Sequence, residues 1–258
     1  MFHIKYTVLL VFCLTWACCS YGDIKEDYYV SFYIENLEGM RIEDNSLIPV
    51  LRVNGSPVCL LGAMSGTSII NNYLLPGTNE LNVDNIGSWK IKITITSGKK
   101  LIKSFLAKRS EDSIAFKSAL RTSVYEKFDE LPDKVTLLKQ LTPYLDNLKN
   151  AYKNKEYGAV ASDMIGPEYI LLWNGYDKSE ISEIKTNMIK RLEKSQLTWY
   201  YDKKRINCII GKKVAIIYDT EGKNGGYSLG VQKKSTGESR PAPMAKIIKT
   251  DGSLSFMR

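Results

Sequence analysis

Three observations in this 258-residue sequence predict a mainly β protein in two parts, an N-terminal antiparallel β-sandwich followed by a helix-then-strand α+β domain. Alternation with period two dominates residues 28–108, as it does in strands that bury one face. Apolar residues at three- and four-residue steps are confined to 133–194, and strand-like runs separated by Gly-containing turns take over after them. An apolar leader stands in front of both parts.

Residues 1–22 read as a targeting segment. Lys5 supplies the positive start, Val8 to Trp16 the apolar stretch, and Ser20-Tyr21-Gly22 a small-x-small site before Asp23. The apolar run is too short to span a bilayer comfortably, and charged residues follow at once. The expectation is cleavage after Gly22 and a place in the periplasm or outer envelope. Leu14-Thr15-Trp16-Ala17-Cys18 also resembles a degraded bacterial lipobox, which makes Cys18 and Cys19 candidate lipid acceptors. The alternative is that both cysteines are discarded with the leader; a lipid anchor is the one membrane link expected.

The expected sandwich covers 24–108. Val30, Phe32 and Ile34 alternate with smaller or polar residues as one strand, and 47–53 and 57–61 flank Asn54-Gly55, a strong hairpin signal because both central positions of such a turn need positive φ. Pro57 has no amide to donate and belongs at a strand start or sheet edge. Residues 62–68, rich in Gly, Ser and Thr, read as a loop. Residues 73–83 read as strand, Pro76-Gly77 turn, strand. Trp89, Ile91, Ile93 and Ile95 alternate against Lys90, Lys92, Thr94 and Thr96, and Gly98 turns this strand toward 101–106.

Residues 109–132 are charged and without a dominant period, and read as a linker with partial structure. The second domain, 133–258, opens with Asp133 as a helix N-cap ahead of the stripe Leu138, Leu141, Leu145, Leu148 and Tyr152. Pro143 interrupts that stripe, with Thr142 placed to cap a fresh helix. A short helix over 156–164 follows, then one over 179–194 that Asp177 and Glu180 start as a capping box. Strands are expected at 197–201, 205–210, 214–218, 227–231, 244–248 and 254–257, with Gly211-Lys212, Asn224-Gly225-Gly226 and Asp251-Gly252 as turns.

Two resemblances attach to this pattern. Val53-Asn54-Gly55 followed by Leu74-Leu75-Pro76-Gly77-Thr78-Asn79-Glu80-Leu81-Asn82-Val83 resembles the turn series of jelly-roll modules that accompany glycoside hydrolases, some of which bind sugar. The order of helix (Leu145, Leu148, Ala151), Asn154-Lys155-Glu156 and a final Asp251-Gly252 hairpin resembles the NTF2-like α+β superfamily, whose members include pocket-bearing enzymes and silent binding proteins. Both imply fold rather than function, and no ligand residues are carried over from either.

Composition narrows the chemistry. Loss of the leader removes Lys5, His3, Cys13, Cys18 and Cys19, leaving 35 basic against 28 acidic residues, a net charge of +7, and no histidine. A chain without imidazole builds no Ser-His-Asp or Cys-His arrangement and no His-dependent zinc site. Cys59 and Cys208 sit in separate apolar runs and read as two buried thiols. Carboxylate pairs remain open, with Asp163, Glu168, Asp202 and Asp219 nearest to apolar segments. No phosphate-cradling glycine motif appears, and lysine pairs at turns and strand ends read as edge protection rather than nucleic-acid contacts. No catalytic residue, metal ligand or cofactor is assigned.

The aromatic side chains carry the candidate binding site: Trp173 and Tyr176 around Asn174-Gly175, read as a loop, and Trp199, Tyr200 and Tyr201 on both faces of a strand. The expectation is an exported, non-catalytic binding protein of the bacterial envelope, with a protein partner that is acidic if the positive charge steers it. An immunity or accessory protein that blocks a toxin or envelope enzyme is the concrete form. The alternatives are a carbohydrate- or cell-wall-binding protein and a carboxylate-dependent hydrolase.

Overall fold

The computed structural model describes residues 26–35, 48–61, 64–110, 112–194, 197–200, 206–219, 230–233, 239–240 and 245–257. The chain is β-rich, built on antiparallel sheets with a group of helices between the earlier and later strands.

Eight strands form the first part: β1 (Tyr28–Glu35), β2 (Val50–Val53), β3 (Ser56–Leu60), β4 (Ser65–Ile69), β5 (Gly77–Asp84), β6 (Lys90–Ser97), β7 (Lys100–Ala107) and β8 (Ser113–Ser118). They make two four-stranded sheets, ordered β4-β1-β6-β7 and β3-β2-β5-β8. Val30, Phe32, Ile34, Ile91, Ile93 and Ile95 of one sheet and Leu51, Val53, Leu81, Val83 and Phe116 of the other share one buried core. Asn54 and Gly55 both take positive φ, 51° and 75°, as the β2–β3 hairpin requires. Pro57 lies on β3, an edge strand, where a missing amide costs no ladder bond.

Three readings of this part change. Residues 62–68 are not simply a loop, because Ser65–Ile69 pairs along the free edge of β1. Small side chains are what the site demands: a Cβ on Gly66 would lie 2.7 Å from the Phe32 ring opposite it. The strand expected from Tyr73 ahead of the Pro76-Gly77 turn does not form: buried Tyr73 ends a 3₁₀ turn over Asn71–Tyr73, and Leu74 and Leu75 carry no strand. Within 109–132, expected as a linker, β8 pairs with β5 along six residues and turns Phe116 into the core.

Four helices follow: α1 (Lys134–Lys153), α2 (Tyr157–Ile165), α3 (Glu168–Trp173) and α4 (Lys178–Lys194). Asp133 caps α1, accepting the amides of Val135 and Thr136 at 3.0 and 3.1 Å. At α4 the Asp177 carboxylate accepts from Ser179 and Glu180 while the Asp177 amide donates to Glu180 Oε2 at 2.8 Å, a complete capping box. Pro143 does not split α1, which runs through it, so no new helix begins at Thr142. The buried stripe is Leu137, Leu141, Leu145 and Leu148, one position off the expected start at Leu138. Trp173 ends a helix rather than sitting in a loop.

The later strands are β9 (Leu197–Tyr200), β10 (Ile206–Ile210), β11 (Val214–Asp219), β12 (Gly230–Lys233), β13 (Ser239–Arg240), β14 (Ala245–Thr250) and β15 (Ser253–Met257). They form a four-stranded sheet, β10-β11-β14-β15, and a three-stranded one, β13-β12-β9. The short β13 had no counterpart among the expected strands. Of the expected 227–231 strand, residues 227–229 lie outside the described residues, as do the turn at 224–226 and Met244.

The β10-β11-β14-β15 sheet is buried on both sides, which explains the apolar run Val214–Ile217 of β11 and the adjacent buried pair Ile247 and Ile248 of β14. Ala215, Ile217, Ile247 and Phe256 pack beneath the α1 stripe. Val214, Ile248 and Met257 belong to the core of the first part. A polar seam joins the two parts at their turns: the Lys212 amide donates to Gly55 O, the Lys213 amide to Ser56 Oγ at 3.2 Å, and Arg52 Nη1 to Ile210 O at 3.0 Å. Gly211 is needed there, since a Cβ would meet Pro57 Cδ at 2.4 Å and Gly55 O at 2.7 Å. The Asp129 and Leu131 amides donate across the same seam to Lys249 O and Lys212 O.

Candidate binding face

The two sheets of the first part each show one face to solvent, and register assigns the side chains on each. Cross-strand partners in an antiparallel sheet point to the same side. On the β4-β1-β6-β7 sheet the outward row through Tyr33 is Ser65, Tyr33, Lys92 and Leu106. The next row is Thr67, Ser31, Thr94 and Ser104, a hydroxyl from every strand. The third is Ile69, Tyr29, Thr96 and Leu101. Successive rows lie about 6.7 Å apart along the strands, so the Tyr33 and Tyr29 rows run as two apolar rails about 13 Å apart.

The hydroxyl row between the rails is held in place. Ser31 and Thr67 share a hydrogen bond of 2.9 Å, Thr94 and Ser104 one of 3.3 Å, and Ser104 Oγ also donates to Ile93 O. Tyr29 donates its hydroxyl to Asp27 at 3.1 Å, and this bond together with the carboxylate's charge raises the phenol's pKa. The Glu35–Lys90 pair of register partners adds one charge of each sign at the end of the face, and Lys92 beside Tyr33 adds a second positive one.

Exposure is what sets this face apart. Tyr33 is 46% exposed, Ile69 53%, Leu101 59% and Leu106 36%, and Met64 at 54% sits on the rim where its carbonyl accepts the Ile34 amide. The opposite sheet is the internal control. Its outward positions carry Arg52, Thr78, Glu80, Asn82, Asp84, Ser113, Ala115 and Lys117, while Val50, Pro57 and Leu60 on the same side of β2 and β3 are buried or half-buried. Arg52 pairs with Asp84, and Asn82 donates to the same carboxylate at 2.9 Å. Among the described residues, no large apolar side chain is exposed on that face.

No family model, no curated protein and no solved structure matches this chain. The site therefore stands on its own geometry. Of the aromatic residues expected to bind, Trp173 and Tyr176 lie outside this face. Trp173, at the end of α3, is half-buried and packs against the first core with its indole N–H buried. Tyr176 is exposed just beyond it. Trp199 and Tyr200 belong to β9, whose side chains lie outside the described residues, and so do Tyr201, Cys18 and Cys19.

Among the carboxylates singled out, Asp163 is half-buried on α2 and burial raises its pKa. Glu168 stands in the first turn of α3, Asp219 ends β11, and Asp202 lies outside the described residues. Among the described residues no group of three His, Cys, Asp or Glu side chains is placed to hold a metal. Cys59 and Cys208 are free thiols, buried in the first and second cores respectively. Among the described residues, no helix is long and apolar enough to cross a membrane.

Sequence reasoning missed Tyr29, Tyr33, Ile69, Leu101 and Leu106. A signal was present in β1, where the positions expected to face water hold two tyrosines. The rest depended on a register that joins four strands from separate stretches of chain.

Proposed function

We propose that this chain is an exported binding protein of the bacterial envelope, an N-terminal β-sandwich followed by a helix-then-strand α+β domain, and that the outer face of the β4-β1-β6-β7 sheet receives its partner. The partner is an acidic protein, and the concrete role is that of an immunity or accessory protein that covers a toxin or an envelope enzyme. The observation that carries this reading is the contrast between the two outer faces: one sheet exposes Tyr33, Ile69, Leu101 and Leu106, the other a charged and hydrogen-bonded coat. Isolated apolar side chains on a surface need no explanation, whereas a cluster on one sheet face marks a contact site.

The supporting physics is ordinary. Tyr and Leu side chains supply apolar area and the ordered hydroxyls supply hydrogen bonds, while Lys90 and Lys92 steer a partner of opposite charge. The test is affinity capture from the native envelope with the processed chain, with Tyr33→Glu/Leu106→Glu, and with Glu80→Lys/Lys117→Glu. The reading expects a stoichiometric protein that the first pair loses and the second keeps, released as salt is raised. Retention by both variants contradicts the site; capture of glycan that survives high salt contradicts the partner class.

A further inference from the structure

Strand β4 is a free edge of its sheet, and its backbone shows which groups it leaves open. The Ile34 amide donates to Met64 O and the Ile70 amide to Tyr28 O, one bond at each end of the strand. Hydrogen-bonded and non-bonded pairs alternate along an antiparallel ladder. Gly66 and Ser68 therefore turn their amides and carbonyls to β1, while Ser65, Thr67 and Ile69 turn theirs away from it. The side chains of those three are exposed, and among the described residues nothing takes up their backbone groups.

The other three edges of the first part carry features that discourage a further strand. On β3 these are Pro57 and a register shift opposite Leu51 and Arg52. On β7 they are Lys100, Lys103 and a second shift opposite Ile95 and Thr96, with Lys103 set beside the inward Ile95. On β8 it is Lys117. Strand β4 has no charge, no proline and no shift along its pairing with β1, and Thr67 and Ile69 are good strand formers. Charge also bears on the occupant. With 36 basic against 28 acidic residues, copies of this chain repel one another, and they do so least where the meeting edges are neutral. The outward β1 residues beside β4, Tyr29, Ser31 and Tyr33, are uncharged as well.

We propose that β4 pairs with β4 of a second copy of this chain, antiparallel about a two-fold axis through Thr67. In that register Thr67 lies opposite Thr67 of the second copy and Ser65 opposite its Ile69, each pair exchanging both backbone hydrogen bonds. The groups that Ser65, Thr67 and Ile69 leave open are thus their own complement. The outer faces join row by row. The hydroxyl row Thr67-Ser31-Thr94-Ser104 runs on into its own copy, and Tyr29 with Ile69 meets the Ser65-Tyr33 row of the other chain. The pairing lies in the plane of the sheet and leaves the outer face open, so it stands or falls apart from the partner proposed for that face. A strand of 5 residues on each side covers far less than the about 800 Å² per partner of a standard interface. The dimer is therefore weak, with a Kd on the order of 100 µM.

Sedimentation equilibrium of the processed chain, from roughly 5 µM to roughly 1 mM, should follow a reversible monomer to dimer transition. Thr67→Lys sets two ammonium groups against each other at the axis and should raise the Kd at least about ten-fold. Ser113→Lys, the same added charge on the β8 edge, should leave it within about two-fold. Register is read by cross-linking with oxidised glutathione, the native Cys59 and Cys208 being buried. Thr67→Cys alone should give a reducible dimer, since Cα atoms about 5.5 Å apart suit a disulfide, whereas Ser65→Cys and Ile69→Cys should cross-link only when mixed. A chain that stays monomeric to roughly 1 mM, a dimer that Thr67→Lys leaves intact, or cross-linking of Lys100→Cys as readily as of Thr67→Cys overturns the proposal.

Discussion

The two outer faces of the first eight strands are built by the same alternation, yet they differ in kind. The exposed part of the β3-β2-β5-β8 face carries polar and charged side chains: Arg52 pairs with Asp84, and Asn82 binds the same carboxylate. The β4-β1-β6-β7 face carries two apolar rails with a hydroxyl row between. Folding is indifferent to that choice, because the inward residues of both sheets already supply the core. What separates the faces is therefore the side chains they expose, and contact with a partner is the role we propose for the exposed Tyr and Leu side chains.

The largest effect expected from this contrast is on binding. Tyr33→Glu/Leu106→Glu should weaken partner binding on the order of 1,000-fold, about 4 kcal/mol, in a titration with the captured partner. Glu80→Lys/Lys117→Glu on the other face should change it less than about three-fold, and neither pair should move stability by more than about 0.5 kcal/mol per residue in urea titrations. Equal losses from both pairs would erase the distinction between the faces.

One residue inward from the open face the rules reverse. Ile93→Ala, at a fully buried position of β6, should cost about 3 kcal/mol of stability in urea unfolding and leave the intrinsic affinity of the folded fraction unchanged. Gly66→Ala should cost about 1–3 kcal/mol, because its Cβ would overlap the Phe32 ring and push β4, with Thr67 and Ile69, away from β1. That variant links the two properties, since displacing β4 should also weaken binding. The smallest effect belongs to the hydroxyl row. Thr94→Val should alter stability by less than about 0.5 kcal/mol and affinity by about five-fold, through the lost bond to Ser104.

What was legible in the sequence followed from short-range physics. The inward isoleucines of β6, the positive-φ pair Asn54-Gly55 and the Asp177/Glu180 capping box are all written within a few residues of chain. Elements whose reason lies elsewhere were misread. Strand β4 carries a glycine because Phe32 leaves no room for a side chain at Gly66, and β8 is a strand because β5 offers it an edge. Helix α1 crosses Pro143 because Leu141, Leu145 and Leu148 bury against the later sheet on both sides of the proline. The open face was illegible for the same cause: a row such as Ser65, Tyr33, Lys92 and Leu106 exists only once four strands are in register.

Side-chain footprinting by hydroxyl radicals, run on the full chain alone and bound to its captured partner, tests the contrast most directly. Protection of Tyr33, Ile69, Leu101 and Leu106 on binding, with Thr78 and Lys117 on the opposite sheet unchanged, is the predicted pattern. Protection concentrated on Thr78 and Lys117, or on Tyr176, with Tyr33 and Leu106 still oxidised at the free rate, would contradict it.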